Sequence, residues 1–462
     1  MPTRPTLGRP AAVAAVGAGT SYSRREILLT LTVILGLTFV MFRPVSHNLI
    51  LYSVFSLIGL VAVLSLFRRR TLAPELIVIG FLVAAIATYG ISLGPSNTGL
   101  TFTLLVWVIG PGLFLACAAA ATPLALRTFF WGAALATLGV GGLVVLFVYG
   151  EAGRIPQLIP EWVVDQTGLG ATFGGSASQA RSFGLSSLNA LGPLWAASLT
   201  LRRDHFLPPW PVRVVCLLVA LAAAMVSSRS AIMVVIVAAP VIALVVRALI
   251  RQRPFAPVRF SSRILGTIAL AGAFVAVVLA ALNPRVQSLG PLTTAFQAVS
   301  SFFTGTSAGA GADESIRTDE ATHLLDAWAL NPILGSGFGA QVPSYARTSE
   351  RPWVLELQYH LLLFNIGLVG MAVIIIIGVV AFVYIRRAVA FAPQYEATMV
   401  VSTTVGVAML VANATNPYLQ APGHMWAIFL PLAAATVVLQ ASSRQAGDAL
   451  PLRLGKVPRI IG

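Results

Sequence analysis

Six residues have the types and spacing to do chemistry: Arg181, Arg229, Arg317, Arg351, Glu356 and His360. Arg229 sits in AAAMVSSRSAIMVV, where only SSRS separates two apolar runs. A guanidinium there has no polar loop to escape into, so it must pair or face a wet cavity. Arg181 lies in QARSFGLSSLNALGPLW, against the next apolar run, where an arginine can also simply snorkel. Arginine keeps its charge at any accessible pH, and its fork matches phosphate oxygens two at a time. A group of arginines beside a bilayer therefore suits a lipid-linked phosphate or pyrophosphate. Glu356 and His360 are four residues apart, which on a helix puts them on one face. That pair would handle protons, although such a histidine can also serve only to bond a neighbouring helix.

The elements that must position these residues are membrane helices. Of 462 residues, 57% are hydrophobic and 10% charged, and mean hydropathy is +0.87. Soluble globular chains carry about 25% charged residues, so this composition excludes an ordinary soluble enzyme and a disordered chain. Twelve apolar runs read as spans, at 27–42, 48–67, 75–93, 101–121, 129–149, 186–201, 213–226, 231–250, 264–282, 354–385, 396–412 and 425–440. The expected fold is an all-α polytopic membrane protein with a large outer loop between helices 9 and 10. The expected parts are a basic cytoplasmic tail (1–26), helices 1–9 with an outer loop at 150–185 (27–282), the large loop (283–353), helices 10–12 (354–440) and a second basic tail (441–462). With both termini placed in the cytoplasm, 22 of the 30 basic residues fall inside, as the positive-inside rule requires. The net charge of +15 is thereby explained by orientation in the cytoplasmic membrane, and no nucleic-acid partner is needed.

Cys117 and Cys216 both lie in apolar runs, so no disulfide framework is expected. The five histidines form no close ligand pair, and neither a metal nor a cofactor is expected. Within the large loop, 313–330 reads as an amphipathic helix carried by Ile316, Leu324, Leu325 and Trp328 and ended by Asn331-Pro332. The following GSGFG (335–339) reads as a tight turn rather than a phosphate-cradling loop, since no strand precedes it. Span ten would be about 48 Å long as one helix, longer than the hydrocarbon core, which would leave Glu356 and His360 at the outer interface.

Five stretches carry a resemblance: RSFGLSSLNALGPLW (181–195), SSRSA (227–231), AWALNPILGSGFG (327–339), ELQYHLLLFNIGLVG (356–370) and NATNPYL (413–419). In this order the chain resembles the O-antigen ligase and O-antigen polymerase superfamily of bacterial membrane glycosyltransferases. The resemblance implies transfer of a glycan from a polyprenyl pyrophosphate carrier to a glycan or lipid acceptor on the outer face of the membrane. It implies that Arg181, Arg229 and Arg317 hold the donor pyrophosphate and that His360 assists the acceptor; Arg351 joins them as a fourth outer arginine. The number of spans and the long loop look ligase-like, with a polymerase of the same superfamily as the alternative. A twelve-helix secondary transporter is the rival from another class, but transporters hold their ionisable residues near the bilayer midplane.

Overall fold

The computed structural model describes residues 24–44, 49–67, 72–174, 177–227, 229–251, 311–343, 345–414 and 416–448. The expected ninth span, the first part of the large loop and most of both tails lie outside the described residues.

The first half of the chain is a run of apolar helices: α1 (Arg24–Phe42), α2 (Leu49–Leu66), α3 (Pro74–Leu93), α4 (Leu100–Leu104), α5 (Gly110–Ala120) and α6 (Pro123–Glu151). Between α4 and α5 the chain forms a π-helical turn, Leu105–Ile109. Pro111 follows at once; its ring crowds the carbonyl four residues back and it brings no N–H, so the turn before it widens. The expected fifth span starts six residues earlier than its apolar run, at Pro123. Thr122 caps it, its hydroxyl accepting from the Ala125 N–H at 3.2 Å, and proline is favoured in a helix's first turn.

The segment 150–185 is more ordered than its composition suggests. It holds α7 (Glu161–Thr167) and an antiparallel hairpin of β1 (Gly170–Gly174) and β2 (Ala177–Arg181), a small exception to the all-α expectation. Then come α8 (Leu188–Leu199), α9 (Trp210–Val226), α10 (Ser230–Ile250), α11 (Gly311–Ala329), α12 (Gln358–Phe391), α13 (Glu396–Asn413) and α14 (Met425–Asp448). Eight of the described helical stretches are long and apolar enough to cross a membrane, and two shorter ones, Glu26–Phe42 and Trp210–Val226, are apolar as well. The expected sixth span is only the 12-residue α8, about 18 Å long. Every residue from Leu188 to Ser198 is buried, by α9, α10 and α13 among others, so protein rather than lipid surrounds it. Short helices and irregular backbone are tolerated at membrane depth under that condition.

α13 and α14 sit at the centre, whereas α2 and α12 expose stripes such as Ile375, Ile376 and Val379 at the rim. Contacts sort the connections into two ends. At one end Ser187 donates to the Met41 carbonyl, Asn97 donates to the Ser336 and Phe338 carbonyls, and His424 Nε2 lies 3.0 Å from the Ser186 hydroxyl. At the other, Arg247 and Arg251 pair with Glu396, Asp204 accepts from Thr398, and Arg387 pairs with Glu75. All six residues singled out for chemistry belong to the first end or to the elements packed there.

Candidate active site

The GSGFG loop is a structural joint. α12 is two helical segments interrupted at Gly367, whose backbone (φ 57°, ψ −168°) is far from helical. The break exposes carbonyls of the first segment and N–H groups of the second, and the loop meets both. Ser336 and Gly337 donate to the Phe364 and Asn365 carbonyls at 2.9 and 2.8 Å. Leu368 and Val369 donate to the Pro332 and Ile333 carbonyls at 3.0 and 3.1 Å. Gly335 and Phe338 donate likewise to the Asn331 and Gly90 carbonyls, so the amides from Gly335 to Phe338 are not free to cradle a phosphate. A Cβ on Gly367 would collide with the Ile333 carbonyl oxygen, and its φ is one that L side chains rarely adopt. Gly367→Ala is therefore expected to prevent recovery of monodisperse protein, while Gly378→Ala, in open space on the same helix, should be recovered normally by size-exclusion chromatography.

The 32-residue helix read from the sequence is corrected at its start as well. α12 begins at Gln358, so Glu356 lies in the preceding bend and shares no helix face with His360. The reason is tertiary: the Leu357 N–H donates to Glu320 Oε1 at 2.7 Å, and Leu357 takes a non-helical conformation (φ −77°, ψ 79°). α11, the helix expected over 313–330, supplies that glutamate. Its Leu324 is buried and Trp328 partly so, but Ile316 and Leu325 stay exposed, so the buried stripe is narrower than the apolar pattern suggested.

Around this bend stands an acid–arginine network. Arg347 Nη1 is 2.5 Å from Glu356 Oε1 and 3.7 Å from Glu320 Oε2. Arg317 Nε is 3.3 Å from Glu356 Oε2, and its Nη2 is 3.4 Å from Asn416 Oδ1. Partial burial pushes the Glu356 carboxyl up, but Arg347 and Arg317 outweigh it and hold it below the usual range. Glu320 has no exposed surface, and its burial pushes its carboxyl up despite the Leu357 N–H and Arg347. Arg347→Ala would leave the Glu320 carboxylate buried with only the Leu357 and Glu356 N–H groups as partners, at a cost of about 1–3 kcal/mol. The expected result is a lower Tm and faster proteolysis between α11 and α12; an unchanged Tm would show that Arg347 holds nothing in place.

The six candidates are brought together only in part. Arg317 and Glu356 meet directly. Arg229 stands at the N-cap position of α10, exposed. Arg229, Arg317 and Glu356 all act electrostatically on the Tyr418 phenol, in the turn between α13 and α14 that burial pushes up most strongly. His360 lies in the first turn of α12, half-buried, next to Tyr359, whose hydroxyl donates to the Leu410 carbonyl of α13. Arg181 is the last residue of β2, seven residues before α8, exposed and lying over Gly170. Arg351 is exposed, and the hydrogen bond described for it is from its backbone N–H to Thr348. Neither of these two joins the network among the described residues.

Sequence reasoning missed Arg347, Glu320, Tyr418 and the fully buried His424, which bridges the Tyr418 carbonyl (2.6 Å) and Ser186. The NATNPYL stretch, which carries Tyr418, was the only signal for that turn. Among the described residues no three of His, Cys, Asp and Glu are gathered as a metal ion would need.

Compared with known proteins, residues 214–372 match a family model described as O-antigen ligase. No curated protein matches the chain. The matched stretch covers about a third of the chain and holds Arg229, the acid–arginine network, the glycine joint and His360, while Arg181 and Tyr418 fall outside it. Residues 214–372 thus carry the match to the O-antigen ligase family, on a chain whose bundle of apolar helices makes it a multi-pass membrane protein.

Proposed function

We propose that the protein is an O-antigen ligase-like glycosyltransferase that moves a glycan from a polyprenyl pyrophosphate carrier to an acceptor hydroxyl on the outer face of the cytoplasmic membrane. The observation that carries this reading is that Arg229 and Arg317, on two separate elements, both act electrostatically on the Tyr418 phenol, and that Arg317 also reaches Asn416 of the same turn. Two guanidiniums within electrostatic reach of one group at the end of a helix bundle suit a diphosphate held at a membrane surface.

In the reaction the acceptor oxygen attacks the anomeric carbon of the donor sugar. The bond from that carbon to the pyrophosphate oxygen breaks, and the polyprenyl pyrophosphate leaves with the bonding electrons. Arg229 and Arg317 neutralise the charge that develops on it, with Arg181 and Arg351 as further ligands reached by movement of their exposed segments. His360 takes the acceptor hydroxyl's proton. Glu356 holds Arg317 and Arg347 before the donor arrives, and the donor diphosphate competes with it for Arg317. No divalent metal is required, because fixed guanidiniums occupy the role a metal has in many sugar transferases.

Deleting the gene and analysing surface and lipid-linked glycans tests the reading. Full-length polymer left on the carrier is the expected result. Single repeat units left on the carrier would instead mean a polymerase, and unchanged glycans would refute both. Orientation is tested separately with an impermeant thiol reagent: in intact spheroplasts Ser307→Cys should react and Gln252→Cys should not. The reverse pattern would overturn the outer placement of the site.

A further inference from the structure

The stretch from Leu330 to Phe338 joins exposed apolar side chains to carbonyls that the protein itself satisfies. Leu330 is 83% exposed, Ile333 60% and Leu334 44%. A loop in water can leave carbonyls to the solvent. Here every carbonyl from Pro332 to Phe338 accepts a hydrogen bond from the protein. Those of Pro332 and Ile333 accept from Leu368 and Val369 across the break in α12, and that of Gly337 accepts from Ala340. The Tyr89 hydroxyl donates to the Leu334 carbonyl at 2.8 Å, and the Asn331 amide to that of Gly335 at 2.7 Å. The Asn97 amide serves both Ser336 and Phe338. Non-helical backbone is tolerated at membrane depth only where the protein satisfies its polar groups.

Two helices give the depth of this stretch. At the other end of the bundle Arg387 of α12 pairs with Glu75 in the first turn of α3. Charged side chains of this kind mark a boundary of the apolar layer. From that pair it is about 22 Å along α3 to Gly90, whose carbonyl accepts from Phe338, and about 30 Å along α12 to the break at Gly367. The hydrocarbon core is about 30 Å thick, so the stretch lies at its opposite edge. The apolar surface is continuous there. Leu368 and Val369, bonded to the stretch through their N–H groups, are exposed, and Ile375, Ile376 and Val379 extend the same exposed surface along the span.

We propose that Leu330, Ile333 and Leu334 insert among lipid acyl chains at the edge of the leaflet on the side of the candidate site, as a membrane anchor just beyond α11. The partner is the bilayer, because these side chains continue the lipid-facing surface of α12 at the level where the core ends. The segment expected as a large outer loop is thereby pinned to the membrane at this point. α11, which carries Arg317 and Glu320, ends at the anchor, so the acid–arginine network is held close to the bilayer surface. The anchor does not depend on the glycan-transfer reading.

The test places the fluorophore NBD on single cysteines of the full chain in nanodiscs, with Cys117→Ala and Cys216→Ala removing the native thiols. The labelled variants are Leu330→Cys and Ile333→Cys. Ile376→Cys, exposed on α12, is the lipid reference, and Ser349→Cys, exposed beyond the joint, is the aqueous one. Positions 330 and 333 are expected to show blue-shifted emission, quenching by phospholipids with a nitroxide high on the acyl chain, and the same protection from aqueous iodide as position 376. Iodide access equal to that at position 349 would overturn the anchor. So would emission that neither agent quenches, because a second copy or another part of this chain would then cover the surface. Leu334→Cys replaces either variant that is not recovered monodisperse. Failure of the anchor would leave the transfer reading standing, since no outcome here measures transfer.

Discussion

Arg229→Ala is expected to reduce glycan transfer by about 10²–10³-fold, the usual cost of removing one charged or dipolar contact to the developing negative charge in a transition state. Arg229→Lys should recover only part of that loss, because an ammonium restores the charge but not the two-pronged fork. The position makes the experiment clean. Arg229 is exposed at the start of α10, so its loss opens no cavity. Arg317 differs in being already paired with Glu356, so Arg317→Ala would mix lost binding with a freed carboxylate. The check is transfer by purified wild type and variants at matched, monodisperse yield and equal Tm. Near-normal turnover in the alanine variant would remove Arg229 from the site.

His360→Ala is expected to slow transfer by about 10²–10⁴-fold, the range for loss of a general base, with little change in donor affinity. Wild-type turnover should survive EDTA. The corrected position of Glu356 sharpens this prediction. Its carboxylate is engaged by Arg317 and Arg347, which leaves His360 to act without it. Glu356→Gln should therefore weaken the network and change donor KM more than kcat. Loss of activity on chelation, restored by magnesium or manganese, would refute the metal-free claim. Full activity in His360→Ala would refute the rest.

What the sequence could reveal was set by the range of the interactions responsible. The apolar runs at 75–93 and 231–250 end within a residue or so of α3 and α10, because hydropathy and proline act locally. The break at Gly367 was hidden inside a long apolar run, since glycine is common in membrane helices. What stabilises it is a loop some 30 residues earlier, which no local pattern reports. The same holds at Glu356, where helix spacing suggested a pairing with His360 and a hydrogen bond from Leu357 to Glu320 prevented the helix from starting. Arg229 and Arg317 were legible because charge is rare at such positions, and Arg347, amid polar residues, was not. The hairpin at 170–181 escaped notice because GATFGG reads as a flexible linker.

In the proposed reaction Arg229 and Arg317 hold a carrier diphosphate while a glycan leaves it. The most direct measurement of this is transfer in proteoliposomes that contain only this protein, a radiolabelled polyprenyl-pyrophosphate-linked glycan and a glycan acceptor, with EDTA present. Label is expected to move from the carrier to the acceptor with wild type and to stay on the carrier with Arg229→Ala and His360→Ala. The contradicting result would be wild type that left the label on the carrier and instead moved the intact lipid or a free solute across the bilayer.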